Sequence, residues 1–538
     1  MNQAETVKSI VSGRTALGLE FGSTRIKSVL IDMSGAVLAS GCFVWENSFR
    51  DGRWTYSLQD AVRGMQASYA DLKHNVAQRY GATLRTIGCI GISGMMHGLI
   101  ALDSGGRQIM PFLTWRNTNA AQAAGKLSEL FCFNVPMRWT VSQIYQAVLE
   151  KHPGIRRLGS AFTLAAYIHM RLSGTNVAGI GEASGMFPVD TGALDYDRRM
   201  LGAFDSLITG EGLDWKLRDV LPRVLCAGDD AGSLTAEGSR LLDPDGDLVP
   251  GIPMAPPEGD AGTGMVATDS VAPRTGNVSV GTSVFSMSVL EKPLERAYRD
   301  IDIVCTPAGR DVAMVHCNNG TTELDRWIGL FDGMLESFGI FMSRDRLYEG
   351  VFRKSLEGDP GCGGITGINF VSGEPVAGVL EGLPLLTCSP EKEMRFTDFV
   401  RAQMYSVFAS LALGHRILEK ENVRIDRVTG HGGFFKVAEV GQRHLSAALG
   451  VPVSVTETAG EGGPYGMALL AAFRVSQMRS MGLEKYLERI FSDAKTITVT
   501  ASDEEIAGFR VFLDRFCRLM KAEKALVSHN TTEVFQWE

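Results

Sequence analysis

A chain of 538 residues, 45% apolar and 21% charged, is too long for one core and too apolar for extended disorder, so two large soluble domains are expected. A formal charge of -8 argues against bulk nucleic-acid binding but leaves room for a local positive pocket. Nine scattered cysteines without a C-x-x-C pair fit reduced thiols in a cytoplasmic protein better than a disulfide framework. At the start, Met1-Asn2-Gln3-Ala4-Glu5 has neither the basic region nor the apolar stretch of a signal peptide. Leu17 to Ile31 then reads as a strand, a tight turn Gly22-Ser23-Thr24 and a second strand, with Asp32-Met33-Ser34-Gly35 as its outer turn. Val37-Leu38-Ala39 starts another strand. Residues 60–79 have apolar spacing of three and four, a helix with Asp60 as its expected N-cap. Residues 87–92 form a buried strand running into the loop Ser93-Gly94-Met95-Met96-His97-Gly98, and 99–102 a return strand. A helix is expected over 161–170, and 181–187 reads as a loop entering the interior. Ala255 to Asp260 is the joint before the second half, and 261–267 can start a helix.

The second half repeats the opening pattern. Asn277 to Ser286 is again a strand, a turn with Gly281-Thr282-Ser283, and a strand. Residues 312–317 read as a strand leading into Asn318-Asn319-Gly320-Thr321-Thr322, and 397–418 as a long helix. Arg427-Val428-Thr429 is a short strand entering Gly430-His431-Gly432-Gly433, with a helix after it. Residues 452–455 are another strand, followed by Gly460 to Gly466 opening a small-residue helix whose apolar run 467–473 is too short to cross a bilayer. The C-terminal helix is expected to end before His529. Strands followed by helices point to an α/β fold whose strand ends feed a ligand cleft.

Two hairpins with hydroxyl-bearing Gly turns can aim backbone N–H groups at one anion. Gly turns are common, so two ordinary hairpins remain the alternative. Glu20, two residues before Gly22, can hold Mg²⁺ directly or through water while the turn holds phosphate. Asp260, among small residues, suits a general base that accepts a proton from a sugar hydroxyl, and equally a helix N-cap. His97 can donate to a sugar oxygen or serve the structure. Trp115-Arg116-Asn117 can cover a sugar face and orient a hydroxyl, or mark a core Trp beside a turn. The 430–433 and 460–463 glycines allow close approach of a purine or phosphate, or tight packing at helix starts. Neither is a Walker A loop, and no zinc pattern or Rossmann fingerprint is present.

Taken in order, these pieces resemble the FGGY carbohydrate kinases, especially the xylulokinase-like branch, from about Leu17 to Leu470. Gly18 to Thr24 is similar to the first phosphate motif, Met96-His97-Gly98 to the sugar loop, and Glu258-Gly259-Asp260 to the segment with the catalytic base. Ser279 to Ser283 is similar to the second phosphate motif, and 430–433 and 460–466 to the adenine-side glycines. The resemblance implies a two-domain actin-like ATPase (ribonuclease H-like) α/β fold with a central cleft. Its expected parts are an N-terminal sugar- and phosphate-binding domain over 1–258, a nucleotide-binding domain over 259–500, and a helix and tail over 501–538.

By the same resemblance the protein uses ATP and Mg²⁺ to phosphorylate a terminal hydroxyl of a small ketose or polyol, a xylulose-like pentulose first. It has no nucleic-acid or membrane partner, and a homodimer is allowed. Asp260 would be the base and Glu20 the metal-side carboxylate. Met96, His97 and Asn117 would serve the sugar. Gly22, Ser23 and Thr24 would hold phosphate from one side and Gly281 and Thr282 from the other, with Gly432, Gly433 and Gly462 near the nucleotide. Three positions depart from the family pattern. Glu20 stands where Asp is usual, Trp115-Arg116-Asn117 replaces Trp-Asn-Asp, and Pro257 and Glu258 replace glycines. These departures leave open a kinase for ribulose, erythritol or glycerol, and a sensor that binds sugar and nucleotide without catalysis.

Overall fold

A computed structural model describes residues 3–456 and 462–528. The expected motif residues Gly460 and Glu461, and the tail from His529, lie outside the described residues. The chain forms two compact units, each built from several stretches. The first comprises Met1–Pro273, Lys292–Val312 and Glu461–Ala494, the second Arg274–Glu291, Ala313–Gly460 and Lys495–Glu538. The units therefore do not follow the linear division at 258/259. Part of the stretch beyond 460 belongs to the first unit, and the C-terminal helix to the second.

In the first unit, strands β1 (Thr15–Phe21), β2 (Arg25–Asp32), β3 (Val37–Val44), β4 (Cys89–Gly94) and β7 (Glu258–Gly259) make one mixed sheet in the order β7-β4-β1-β2-β3. β1-β2 and β2-β3 are antiparallel, while β1-β4 and β4-β7 are parallel. The outer turn forms as expected, because Asp32 Oδ1 accepts from the Ser34 and Ala36 N–H groups at 2.8 and 3.0 Å. Helix α1 (Leu58–Tyr80) covers the sheet with Ala61, Met65, Tyr69, Leu72 and Val76. Its N-cap is Ser57, not Asp60: the Ser57 hydroxyl accepts from the Asp60 N–H at 3.3 Å, which puts Asp60 in the first helical turn. The return strand β5 (Ile100–Asp103) pairs with β6 (Leu158–Phe162) rather than with β4. The helix expected over 161–170 begins later, as α2 (Leu164–Ser173), because β6 takes its first residues. The expected interior loop contains a short buried helix, α3 (Ile180–Ser184).

Two further helices set the site. α4 (Asp260–Ala267) starts directly after β7, and α5 (Gly462–Val475) returns from late in the chain. They cross where a Cβ on Gly466 would overlap the Thr263 carbonyl oxygen. α5 also lies flat on the sheet: a Cβ on Gly18 would overlap the Pro464 carbonyl oxygen, and Gly91 faces the Met467 side chain.

The second unit repeats this plan. Strands β8 (Thr275–Val280), β9 (Val284–Val289), β10 (Asp311–Cys317), β11 (Arg427–His431), β12 (Val453–Thr456) and β13 (Thr496–Val499) run in the order β10-β9-β8-β11-β12-β13. β8-β9 is the antiparallel hairpin, and β8-β11 and β11-β12 are parallel. The long helix Phe396–Lys420 is buried along most of its length, close to the expected 397–418. Among the described residues, no helix is long and apolar enough to cross a membrane.

Candidate active site

One register row across the first sheet carries most of the charge. Lys27 on β2 lies opposite Glu20 on β1, Glu20 lies beside Ser93 on β4, and Ser93 lies beside Glu258 on β7. Directly paired residues project from the same face, so this row sets an ammonium beside a carboxyl. The Glu20 side chain packs where a Cβ on Gly463 would otherwise sit, so the longer Glu side chain has its room from a glycine in the first turn of α5. Burial raises the Glu20 pKa to about 7, the nearby Asp260 charge adds to the rise, and Lys27 opposes it.

Asp260 is the first residue of α4, with Gly259 as N-cap. One carboxyl oxygen accepts from the Met96 N–H at 3.2 Å. Burial raises its pKa to about 6, against the pull of the Met96 and Ala261 N–H groups. Both Asp260 and Glu20 keep intermediate exposure, so protein crowds these carboxyls without sealing them. Met96 and His97 meet Asp260 through two glycines: Met96 packs on Gly259, and both side chains pack on Gly185. His97 adopts φ of 72°, a left-handed conformation that costs energy for a residue with a Cβ. Its Nδ1 lies 3.1 Å from the Gly185 carbonyl oxygen, and its ring stacks on Trp139. The structure thus gathers Glu20, Asp260, Met96 and His97 in one unit.

Two further carboxyls lie beside them; in the sequence Glu258 stood out as a departure from the family glycines and Glu182 as part of an interior loop, neither with a role. Glu258, 1% exposed, fits its carboxyl against Gly179 and Gly181, where any Cβ would collide with it. It accepts from the N–H groups of Glu182 at 2.9 Å and Gly181 at 3.3 Å, and burial lifts its pKa to about 8. Glu182 is fully buried, and that burial pushes its pKa well up against the opposing pull of the Thr163 hydroxyl. The available signal was a Glu inside a run of small residues, Gly181-Glu182-Ala183-Ser184-Gly185.

The first turn is backed by aromatic side chains. Its carbonyl oxygens at Gly22 and Ser23 accept from the Trp45 indole at 2.8 Å and the Tyr56 hydroxyl at 2.6 Å. Trp115 donates to the Ser23 hydroxyl at 3.4 Å. Asn117 is 4% exposed, and both ends of its amide bind the Trp54 backbone: Oδ1 accepts from the N–H at 2.9 Å and Nδ2 donates to the carbonyl oxygen at 2.8 Å. Arg116 lies over the Trp54 ring at 4.0 Å.

In the second unit, Gly281 and Thr282 form the β8-β9 turn. Gly320 and Thr321 N–H groups donate to the Thr282 and Gly281 carbonyl oxygens at 2.7 and 2.9 Å. Gly432, at φ 104°, closes on the same turn, where a Cβ would overlap the Val280 carbonyl oxygen. Gly433 starts a short 3-10 helix with open space around its Cβ position. Gly462 belongs to the first unit, as the first residue of α5 beside Gly463.

Family models match most of the chain: FGGY family of carbohydrate kinases, N-terminal domain, over 15–264, and C-terminal domain, over 276–475. A xylulose kinase of Escherichia coli strain K12 is 23% identical over 296 residues, 54% of this chain and 57% of that protein, so the match spans little more than half of the relative. Among solved structures, a ligand-bound xylulose kinase from Lactobacillus acidophilus superposes with a TM-score of 0.78 at 15% identity, covering 96% of this chain and all of that one. A gluconate kinase from the same organism gives 0.79 at 16% identity, covering 96% and 99%. Similarity at this level fixes the fold and leaves the substrate to the site.

Proposed function

Because the chain belongs to the FGGY family of carbohydrate kinases, we propose that it transfers the γ-phosphoryl group of Mg-ATP to a terminal hydroxyl of a ketose or polyol, a xylulose-like pentulose first. The observation that carries this reading is Asp260, which opens α4 beside Glu20 and is held through the Met96 N–H. The sugar hydroxyl gives its proton to Asp260 as its oxygen bonds to phosphorus, and the bond from phosphorus to ADP breaks. A carboxyl with pKa about 6 is largely ionised at neutral pH yet holds a proton better than an ordinary Asp, which suits a base. Met96 and His97 orient the sugar, and the turn N–H groups at Ser23, Thr24 and Thr282 face phosphate. Glu20 and Asp260 repel each other, and such an oxygen-donor pair fits a hard dication. Mg²⁺, when bound, would neutralise phosphate charge there, with Glu20 as its carboxylate. Gly432, Gly433 and Gly462 serve the nucleotide in this reading, and Asn117 acts through Trp54.

A second substrate class has its own observation. Arg116 is exposed and lies over the Trp54 ring at 4.0 Å, with no carboxylate partner among the described residues, at the segment expected to contact sugar. An acidic sugar such as an aldonate would exploit it. ADP release with Mg-ATP, measured across pentuloses, polyols and aldonates and checked by mass gain on the sugar, tests both readings. A phosphorylated pentulose supports the first and a phosphorylated aldonate the second. No product from any of them overturns the kinase reading. Asp260→Asn is expected to lower turnover at least ~1,000-fold and to leave ATP binding within about twofold. Turnover near that of the unaltered protein would remove Asp260 from the role of base.

A further inference from the structure

The first phosphate turn is oriented from behind. All three of its carbonyl oxygens are engaged: Gly22 by the Trp45 indole at 2.8 Å, Ser23 by the Tyr56 hydroxyl at 2.6 Å, and Thr24 by the Trp45 backbone N–H at 3.1 Å. Trp45 and Tyr56 are themselves stacked, with ring centroids 4.3 Å apart, and are 6% and 4% exposed. A peptide group is planar and trans, so its N–H points opposite to its C=O. Anchoring the Gly22 and Ser23 carbonyls against this aromatic wall therefore turns the Ser23 and Thr24 N–H groups away from it. Neither N–H has an acceptor among the described residues. Two adjacent donors facing away from a rigid wall make a preset cradle for an anion.

The wall has its own anchor. Tyr56 follows the strand Arg53–Thr55, which among the described residues pairs with Ser48–Arg50 in a two-stranded hairpin, and the Trp54 carbonyl also accepts from the Thr114 N–H at 3.4 Å. Such a hairpin is marginal by itself. Asn117 clamps it at Trp54 by both backbone groups, and this fixes the amide orientation, since the N–H needs an acceptor and the carbonyl a donor. Trp115, two residues earlier, reaches the Ser23 hydroxyl directly. Segment 115–117 thus touches the phosphate turn twice, once directly and once through Trp54 and Tyr56.

We propose that Asn117 and Tyr56 are positioning residues which, through Trp54 and the Ser23 carbonyl, couple the sugar-side segment to the phosphate turn and set its two N–H donors for the outer phosphates of ATP. The proposal rests on the kinase reading for the identity of the anion. Its geometry is independent of turnover.

The test uses the full chain with Tyr56→Phe, Asn117→Ala and the double variant. The probes are the non-hydrolysable triphosphate AMPPNP with Mg²⁺, and AMP, which lacks the outer phosphates. Losing one hydrogen bond should weaken AMPPNP binding roughly three- to tenfold in each single variant, with AMP binding unchanged. The double variant should lose no more than the worse single one, because both act on one carbonyl. Where the unaltered protein turns over, kcat should fall in parallel while the sugar KM of Tyr56→Phe stays within about twofold. Equal loss for AMP and AMPPNP, unchanged AMPPNP binding, or fully additive losses would overturn the proposal. Tyr56→Phe removes only a hydroxyl, so it remains decisive if Asn117→Ala fails to fold. Absence of sugar phosphorylation by the unaltered protein would defeat the kinase reading and leave the binding comparison standing.

Discussion

Buried carboxyls decide how this protein responds to pH. Glu258, Glu20 and Asp260 have pKa values of about 8, 7 and 6, all above their ordinary values because burial disfavours the charged form. Between the ordinary and raised values the native state binds more protons than the unfolded chain, so each contribution is full at low pH and is lost as pH rises through the native value. His169, His415 and His431 act oppositely: burial lowers them to about 4, so their stabilisation fades as pH falls below about 6.5. Above about pH 7 the histidine slope fades, and the raised carboxyls, Glu374 at about 7 among them, set the fall, joined toward pH 8.5 by the buried thiols of Cys89, Cys305 and Cys317. Thermal midpoints should fall between pH 6.5 and 8.5, and Glu258→Gln should flatten that fall, since the amide keeps an acceptor for the Glu182 N–H and cannot ionise. An equal slope in the variant would refute this account of Glu258. Catalysis has the reverse dependence. A base that must be ionised gives kcat/KM that drops about tenfold per pH unit below its pKa of about 6. A profile flat to pH 5 would exclude Asp260 as that base. Asp260 stood out in the sequence as a candidate base because small residues flank it. The Glu258–Glu182 pair did not, since it depends on Gly179 and Gly181 being brought from a distant segment to leave room for a carboxyl.

Among elements, the crossing of α4 and α5 governs the site. Asp260 opens α4, Glu20 packs on Gly463 in the first turn of α5, and Thr263 holds Ser93 at 3.1 Å. The helices approach closely only because Gly466 lacks a Cβ. Gly466→Ala should destabilise the protein by about 2–4 kcal/mol by forcing them apart. Gly281→Ala gives a contrast, because a Cβ there meets nothing within 4 Å. That variant should keep the unaltered melting temperature within a degree or two and weaken ATP binding, through bulk at the phosphate turn. Chemical denaturation and nucleotide titration of both variants separate the two roles of glycine. An unchanged denaturation midpoint for Gly466→Ala would show that the crossing yields. Both hairpins were visible in the sequence because alternation and Gly turns are local signals. The α4–α5 crossing was not, because a glycine-rich stretch looks the same whether it admits a phosphate or another helix.

Across the whole molecule, the chain order and the packing order differ. Along the sequence, the joint near 255–260 divides the protein into an early and a late half, and the family models likewise end one domain at 264 and begin the next at 276. In space, the first unit needs α5, which arrives some 200 residues later. Residues Met467, Leu469, Leu470 and Phe473 of α5 are at most 2% exposed, and Gly18 and Gly91 of β1 and β4 lie directly under Pro464 and Met467. A fragment ending at 273 would leave that face of the sheet uncovered. Each large side chain stripped of its partner forfeits about 1.5–3 kcal/mol, and four of them approach the whole stability of a domain. Residues 1–273 expressed alone should therefore show weak near-ultraviolet circular dichroism, bind a hydrophobic dye and aggregate. Residues 1–312 joined by a flexible linker to 461–494 should regain a cooperative melting transition, because that chain contains every stretch of the first unit. If the short fragment melts cooperatively by itself, α5 is an accessory to the sheet rather than part of its core.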